Sequence, residues 1–275
     1  MLSIMRDGTT VSKGEIQLHR VSDGALLHRL QGHTWGITSM AFSPDGALLA
    51  SGSGDVDTTI KLWRVSDGTL LHTLKGHRSA VFCVSFSPDG ALLASGSRDC
   101  TIKLWRVSDG ALLHTLKGHT DPVNCVSFSH DGALLVSGSR DGTILLWRVS
   151  DGTLRQPLAR YTGAVLSVLF SPNGDLLALV GGDKTVQLWR VWDGVLLRTF
   201  TGYTDEVSRV SFSSDGALLA LGSDDDTLKL WRVSDGALLH TLRHKGLVIG
   251  ASFSSDNALL ASGSLDGTVK LWRVR

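Results

Sequence analysis

Six tryptophans, Trp63, Trp105, Trp147, Trp189, Trp231 and Trp272, stand 42, 42, 42, 42 and 41 residues apart. Each lies in the same phrase, as in TIKLWRVSDGALLHTLKGH at 101–119. A degenerate copy at 15–33 carries His19 in the tryptophan slot. A fixed period of this length along a whole chain dictates a repeat architecture, in which each unit buries its apolar face by stacking on its neighbours. The copies are almost identical, and FSPDGALLASGS occurs unchanged at 42–53 and 86–97. The few positions that differ between copies therefore hold the functional information.

One copy is enough to predict the local fold. In residues 119–158 the runs PVNCVSFS, ALLVSGS, TILLWRV and TLRQPL are separated by HDG, RDG and SDG. Asp-Gly dipeptides mark tight turns, because glycine accepts positive φ and aspartate bonds its own local backbone. Four short strands joined by such turns predict one antiparallel sheet per repeat, with strands a, b, c and d in chain order. No stretch free of a glycine-containing turn is long enough for a helix. The prolines fit this reading. Pro44, Pro88 and Pro172 fall in a–b turns, and Pro122 opens an a strand. Pro157 falls in a d strand, the outer edge of the sheet, where a missing N–H is tolerated.

These residues resemble the WD40-repeat family. Its Gly-His pair stands at Gly32-His33, Gly76-His77 and Gly118-His119, and a Leu-Trp pair follows each about 30 residues later. Where the family pattern has Trp-Asp, this chain has arginine after every one of the six tryptophans. The resemblance covers essentially all of 1–275 and implies a single all-β domain, a β-propeller of four-stranded antiparallel blades. It also implies a buried hydrogen-bond set in each blade. The sets are His33, Ser51, Asp57 and Trp63; His77, Ser95, Asp99 and Trp105; His119, Ser137, Asp141 and Trp147; and His244, Ser262, Asp266 and Trp272. Two repeats depart in a paired way, with Tyr161 and Tyr203 for histidine and Leu179 and Leu221 for serine. Removing one buried partner strands the other, whereas replacing both is nearly neutral, so these two sites are expected to be apolar. A histidine, serine and aspartate repeated in four copies beside tryptophan is a structural set, since a hydrolytic triad needs one exposed nucleophile in one pocket.

The residues leave two ring closures open. MLSIMRDG aligns on the b strand and turn, with Ser3 and Asp7 on the serine and aspartate slots, so Met1–Met5 reads as a seventh b strand. The chain then opens with b, c, d and closes with a, b, c. On this reading, which we favour, there are seven blades with a seam lacking one d and one a strand, as an N-terminal truncation would leave. The alternative is six blades, with the d strand at 25–30 pairing with the c strand at 269–274. Either seam leaves unpaired edges that could support a homodimer.

A net charge of +1 offers no field for nucleic acid or an acidic membrane. No apolar run approaches the ~18 residues of a spanning helix. The three cysteines, Cys83, Cys100 and Cys125, form no CxxC pair, which argues against disulfides or zinc and points to a reducing, cytoplasmic setting. No metal, cofactor or catalytic residue is indicated, since no phosphate loop, nucleophile elbow or zinc motif is present. The arginine after each tryptophan is placed to pair with a turn aspartate such as Asp109.

The copies diverge along one set of turns, those before strand a and between b and c. These positions include Trp35, Arg78, Phe82, Arg98, Asp121, Asn124, Arg140, Asp205, Glu206 and Asp224. The SPDG and SDG turns are nearly constant. Divergence on one rim resembles the family's partner-binding surface, where tryptophan and arginine are frequent hot spots. The sequence therefore predicts a non-catalytic platform for a protein or peptide partner of unknown identity. The partner is expected across a basic, aromatic arc of Trp35, Phe82, Arg98 and Arg140, opposite an acidic arc at Asp205, Glu206 and Asp224. Three rivals exist: a repeat-amplification product without a dedicated partner, a carbohydrate binder, and an enzyme. A carbohydrate binder would repeat its exposed aromatic in most blades, and an enzyme would need polar groups on the a strands, where only Arg209 is charged.

Overall fold

The Asp-Gly turns that follow the c strands lock themselves with their own aspartate side chains. In the turn after Trp105, Gly110 adopts φ 71°. There Asp109 accepts the Ala111 amide at 3.0 Å and the Arg106 guanidinium at 2.9 Å. The computed structural model describes residues 2–6, 14–20, 23–161 and 163–274, with the backbone alone at 2–6, 159–160 and 208. Among the described residues the regular structure is all strand. Two compact units are formed, Met1–Phe128 with Gly132–Ser137 and Trp147–Arg155, and Ser129–Asp131 with Gly138–Leu146 and Gln156–Arg275.

In the first unit, β1 (Leu2–Arg6), β2 (Ile16–Arg20) and β3 (Leu26–Leu30) make a three-stranded antiparallel sheet in that order. The second sheet is β4 (Ile37–Phe42), β5 (Leu48–Ser53), β6 (Ile60–Arg64) and β7 (Leu70–Leu74). The third is β8 (Val81–Phe86), β9 (Leu92–Ser97), β10 (Thr101–Arg106) and β11 (Leu112–Lys117). The fourth sheet is β12 (Val123–Phe128), β13 (Leu134–Ser139), β14 (Thr143–Arg148) and β15 (Leu154–Arg160), of which β12 lies wholly in the first unit.

In the second unit, the fifth sheet is β16 (Val165–Phe170), β17 (Leu176–Gly181), β18 (Val186–Arg190) and β19 (Leu196–Phe200). The sixth is β20 (Val207–Phe212), β21 (Leu218–Ser223), β22 (Thr227–Arg232) and β23 (Leu238–Arg243). The seventh has three strands, β24 (Val248–Phe253), β25 (Leu259–Ser264) and β26 (Val269–Arg273).

Seven sheets are present among the described residues, the first with b, c and d and the last with a, b and c. Among the described residues β3 belongs to the sheet β1-β2-β3 and β26 to the sheet β24-β25-β26, so the β3–β26 pairing of the six-blade alternative is not among the strand pairings described. One detail of the N-terminal alignment needs correcting. Ser3 pairs with His19, the tryptophan slot, and Met5 pairs with Gln17, whereas the b-strand Ser51 pairs with Lys61, two before Trp63. Ser3 is thus two residues away from the serine slot, and Met1 and Asp7 lie outside the described residues. The cause is turn length. Nine residues join β1 to β2, where three join β9 to β10, so no short turn fixes the register.

Within each unit the sheets stack through their first strands. β8 lies against β4 and β12, and β20 lies against β16 and β24. The interleaved core between the first two sheets joins Ile16, Leu18 and Leu30 to Leu49, Trp63 and Val65. Its repeat joins Ile60, Leu62 and Leu74 to Leu93, Trp105 and Val107. The same pattern recurs with Val186, Leu188 and Phe200 against Leu219 and Leu221. Period-two alternation puts these residues on one strand face, and burying a leucine or valine side chain contributes roughly 1.5–3 kcal/mol.

Candidate functional site

The buried polar sets come first, because they fix the turns that display the variable residues. In the second sheet, Trp63 donates its indole N–H to Ser51 Oγ at 2.9 Å, and Ser51 lies 2.8 Å from His33 Nε2. His33 Nδ1 lies 2.9 Å from Asp57, which also accepts the Thr34 amide at 2.7 Å. Burial lowers the His33 pKa, so the ring is neutral, with Nδ1–H donating to Asp57 and Nε2 accepting the serine proton. Desolvation raises the Asp57 carboxyl, but bonds from Thr59, the Thr34 amide and His33 outweigh it and hold it below the usual carboxylate range. Ser51 is fully buried with both roles filled, so it offers no nucleophile.

The third sheet repeats this, with His77 at 2.8 Å from Ser95 and 2.9 Å from Asp99 and Trp105 donating to Ser95 at 2.9 Å. In the fourth sheet Ser137 lies 2.7 Å from His119 and accepts from Trp147 at 2.8 Å. Asp141 there accepts the Thr143 amide at 2.8 Å. In the seventh, Ser262 lies 2.7 Å from His244 and accepts from Trp272 at 2.7 Å. Asp266 stands further off, 3.8 Å from His244, and Thr268 takes the nearer place at 3.3 Å.

The expectation of apolar sites in the two tyrosine repeats needs correcting. Leu179 and Leu221 are buried there, yet the indole protons still have acceptors. Trp231 donates to the Tyr203 hydroxyl at 2.9 Å, and Trp189 donates to Gln187 at 2.9 Å. Tyr161 instead donates to the Leu179 carbonyl at 3.2 Å. Tyrosine carries its own hydroxyl into the space that histidine and serine share elsewhere.

The variable turns of the first unit gather around an insertion. The b–c connection of the second sheet is two residues longer than that of the third, since Ser51 and Trp63 are 12 positions apart where Ser95 and Trp105 are 10, and it carries Gly54, Asp55 and Val56. Trp35 packs on Gly54 so closely that a Cβ there would meet its Cδ1 at 2.6 Å. The indole is nevertheless 41% exposed, and Val56 is 66% exposed. Asp55 bonds the Ser79 hydroxyl at 2.8 Å, the Ala80 amide at 3.1 Å and the Arg98 guanidinium at 2.8 Å. Arg98 therefore already has a carboxylate, and a partner's acidic group would have to displace Asp55. Arg78 is exposed, and its amide donates to Asp99 at 2.9 Å. Phe82 and Asn124 are half-buried, and Asp121 is exposed.

The remaining variable residues belong to the second unit. Arg140, Asp205 and Glu206 are exposed and Asp224 is half-buried. Lys184 bonds the Thr204 carbonyl at 2.7 Å and approaches Asp205 to 3.9 Å. Arg209, the charged a-strand residue, donates to the Ile249 carbonyl at 2.6 Å and so ties β20 to β24.

A family model for the WD domain, G-beta repeat, matches residues 24–64, 68–106, 110–148, 150–190, 194–232 and 236–273. The chain belongs to the WD40 repeat family. Each matched WD40 repeat begins at the d strand of one sheet and ends at the c strand of the next, so the sheets are propeller blades joined by overlap. WD40 domains generally serve as protein-interaction scaffolds and are typically non-enzymatic. No curated protein matches the chain.

One feature of the WD40 blades was missed at the sequence level. Lys61, Lys103 and Lys229 are buried, and Lys61 and Lys103 donate to Thr73 and Thr115 at 3.0 and 2.9 Å. The signal was available, because each lysine lies two residues before a tryptophan and so shares its inward strand face. Cys83 keeps some solvent access, yet desolvation by its surroundings pushes its thiol up to about 12, which closes thiolate chemistry near neutral pH.

Proposed function

We infer that this WD40 chain is a non-catalytic platform that binds a protein or peptide on the rim carrying Trp35. The observation that carries the reading is the half-exposed Trp35 indole, held on Gly54 beside exposed Val56 and the Asp55–Arg98 ion pair. A rigid aromatic side chain with an apolar neighbour and a charged border is the composition of an interface hot spot. Phe82, Arg78, Asp121 and Asn124 extend this rim in the first unit, and Arg140, Asp205, Glu206 and Asp224 are the corresponding variable positions of the second. Because Arg98 is engaged, the apolar pair is the anchor and the ion pair sets orientation. The three free cysteines support a reducing, cytoplasmic setting for such a module.

Selection of displayed random peptides on the intact protein tests the proposal. The peptides recovered are expected to lose at least about tenfold in affinity on Trp35→Ala, as hot-spot truncation does. Recovered peptides that bind Trp35→Ala and the parent equally would overturn the assignment.

A further inference from the structure

Arg78 stands where the corresponding turns carry Thr34, Thr120 and Thr204. Its backbone amide is bound to Asp99 at 2.9 Å, but among the described residues its exposed guanidinium meets no carboxylate. The two carboxylates that bond this turn are already taken. Asp55 holds the Arg98 guanidinium at 2.8 Å together with the Ser79 hydroxyl and the Ala80 amide. Asp99 lies 2.9 Å from His77 and accepts the Thr101 hydroxyl at 2.6 Å. Cations share the same neighbourhood. Burial holds the Lys103 ammonium below the usual lysine range, and the charges of Arg78 and Lys117 push it further down against the attraction of Asp99. The turn therefore carries positive charge that its own carboxylates do not balance, and an anion is attracted there.

This charge adjoins the apolar pair, and all of these residues lie in the first unit. Trp35 packs on Gly54, and the next residue, Asp55, bonds Ser79, the neighbour of Arg78. Trp35 and Ser79 thus touch consecutive residues of one connection, with exposed Val56 following. At ~3.3–3.6 Å per residue, about two to four residues of extended chain reach from the indole to the guanidinium.

We propose that the segment bound at the Trp35 rim is acidic. An apolar side chain of the partner seats against Trp35 and Val56, and an aspartate or glutamate about two to four residues away pairs with Arg78. This names the partner's chemistry at the site inferred above and rests on that assignment. Arg98 keeps its bond to Asp55, which holds the connection in place, so Arg78 is the cation that selects. The apolar contact supplies most of the affinity, and the ion pair supplies selectivity. A basic segment would bring like charge to Arg78, Lys103 and Lys117 and is rejected.

The experiment takes the displayed random peptides that bind the intact protein and lose affinity on Trp35→Ala. These are expected to carry aspartate or glutamate at a fixed spacing from an apolar residue. Changing that acid to its amide should weaken binding about threefold, as loss of an exposed ion pair does. Arg78→Glu should weaken the same peptide by about fivefold or more, because repulsion replaces attraction, and lysine in place of the peptide's acid should recover the loss. The amide control lies on the peptide, so the result stands even if Arg78→Glu folds poorly. Arg155→Glu makes the same change of charge at an exposed position of β15 and should leave affinity unchanged. Trp35-dependent peptides that lack the acid, or that bind Arg78→Glu and the parent equally, would overturn the acidic partner and leave the rim standing. Equal losses for Arg78→Glu and Arg155→Glu would also overturn it, by assigning the effect to net charge. Peptides indifferent to Trp35→Ala would overturn the rim itself, and the acidic partner with it.

Discussion

Trp231 donates its indole proton to the Tyr203 hydroxyl at 2.9 Å, in a blade where Leu221 stands in the slot that Ser51, Ser95, Ser137 and Ser262 fill in four others. The indole needs an acceptor whatever the blade is made of, since an orphaned buried donor costs more than the bond returns. Three chemically different acceptors, Ser51, Tyr203 and Gln187, therefore serve one requirement within a single chain.

Tyr203→Phe removes only that acceptor. It should lower stability by about 1 kcal/mol, the low end of the cost of an unpaired donor because Trp231 is half-buried, read as a lower urea midpoint at unchanged slope. Tyr203→His should be similarly harmful alone and be partly rescued by Leu221→Ser, which rebuilds the set found at His33 and Ser51.

Ser51→Ala strands two groups at once, the Trp63 indole N–H and the His33 Nε2 lone pair. The expected loss is about 1–3 kcal/mol or somewhat more in a denaturant titration. Ser43→Ala, in an a–b turn, should cost less.

Acid should destabilise the protein in two stages. His33 and His244 have lowered folded pKa values because burial disfavours their charged form. The unfolded chain takes up protons near pH 6.5 while the folded one does not, so stability falls as pH drops below about 6.5. The Asp57 carboxyl is also depressed, by bonds from Thr59, Thr34 and His33 that outweigh its desolvation. Its contribution is present above the unfolded value of about 3.9 and is lost as pH falls through the folded one. Urea midpoints from pH 8 to 3 should therefore show a decline from pH 7 to 5 and a second below pH 4. His33→Gln should flatten the first decline. An unchanged first decline would contradict the neutral-histidine assignment.

Gly54→Ala places a methyl group 2.6 Å from Trp35 Cδ1, which forces the indole outward. Binding at the rim should fall as it does for Trp35→Ala, with only a small change in thermal midpoint, because the displaced ring is already half-exposed. A midpoint drop of the size expected for Ser51→Ala would show instead that Gly54 matters for the fold.

Much of the fold was legible because the repeat is nearly clonal. The 42-residue tryptophan spacing, the Asp-Gly turns and the proline positions together define four antiparallel strands per sheet. The strand register was legible wherever a short turn fixes it, and it failed at Ser3, where nine residues separate β1 from β2. Side-chain roles that depend on a single atom were harder. Replacement of histidine and serine by tyrosine and leucine reads as loss of polarity until the tyrosine hydroxyl is placed. At the rim, the divergence of Trp35 and Arg98 was visible, but their surroundings were not. Asp55 is brought to Arg98 from 43 positions away in sequence by the packing of the second sheet on the third.

The central claim is that function resides on the Trp35 rim, and a second exposed tryptophan provides the sharpest comparison. Trp192 is 69% exposed, in a c–d turn of the fifth sheet beside Arg190. We would measure the affinity of one selected peptide for the parent protein, Trp35→Ala and Trp192→Ala, side by side. The account predicts a loss of about tenfold or more for Trp35→Ala and none for Trp192→Ala. The reverse pattern would place the interface on the c–d turns and contradict it.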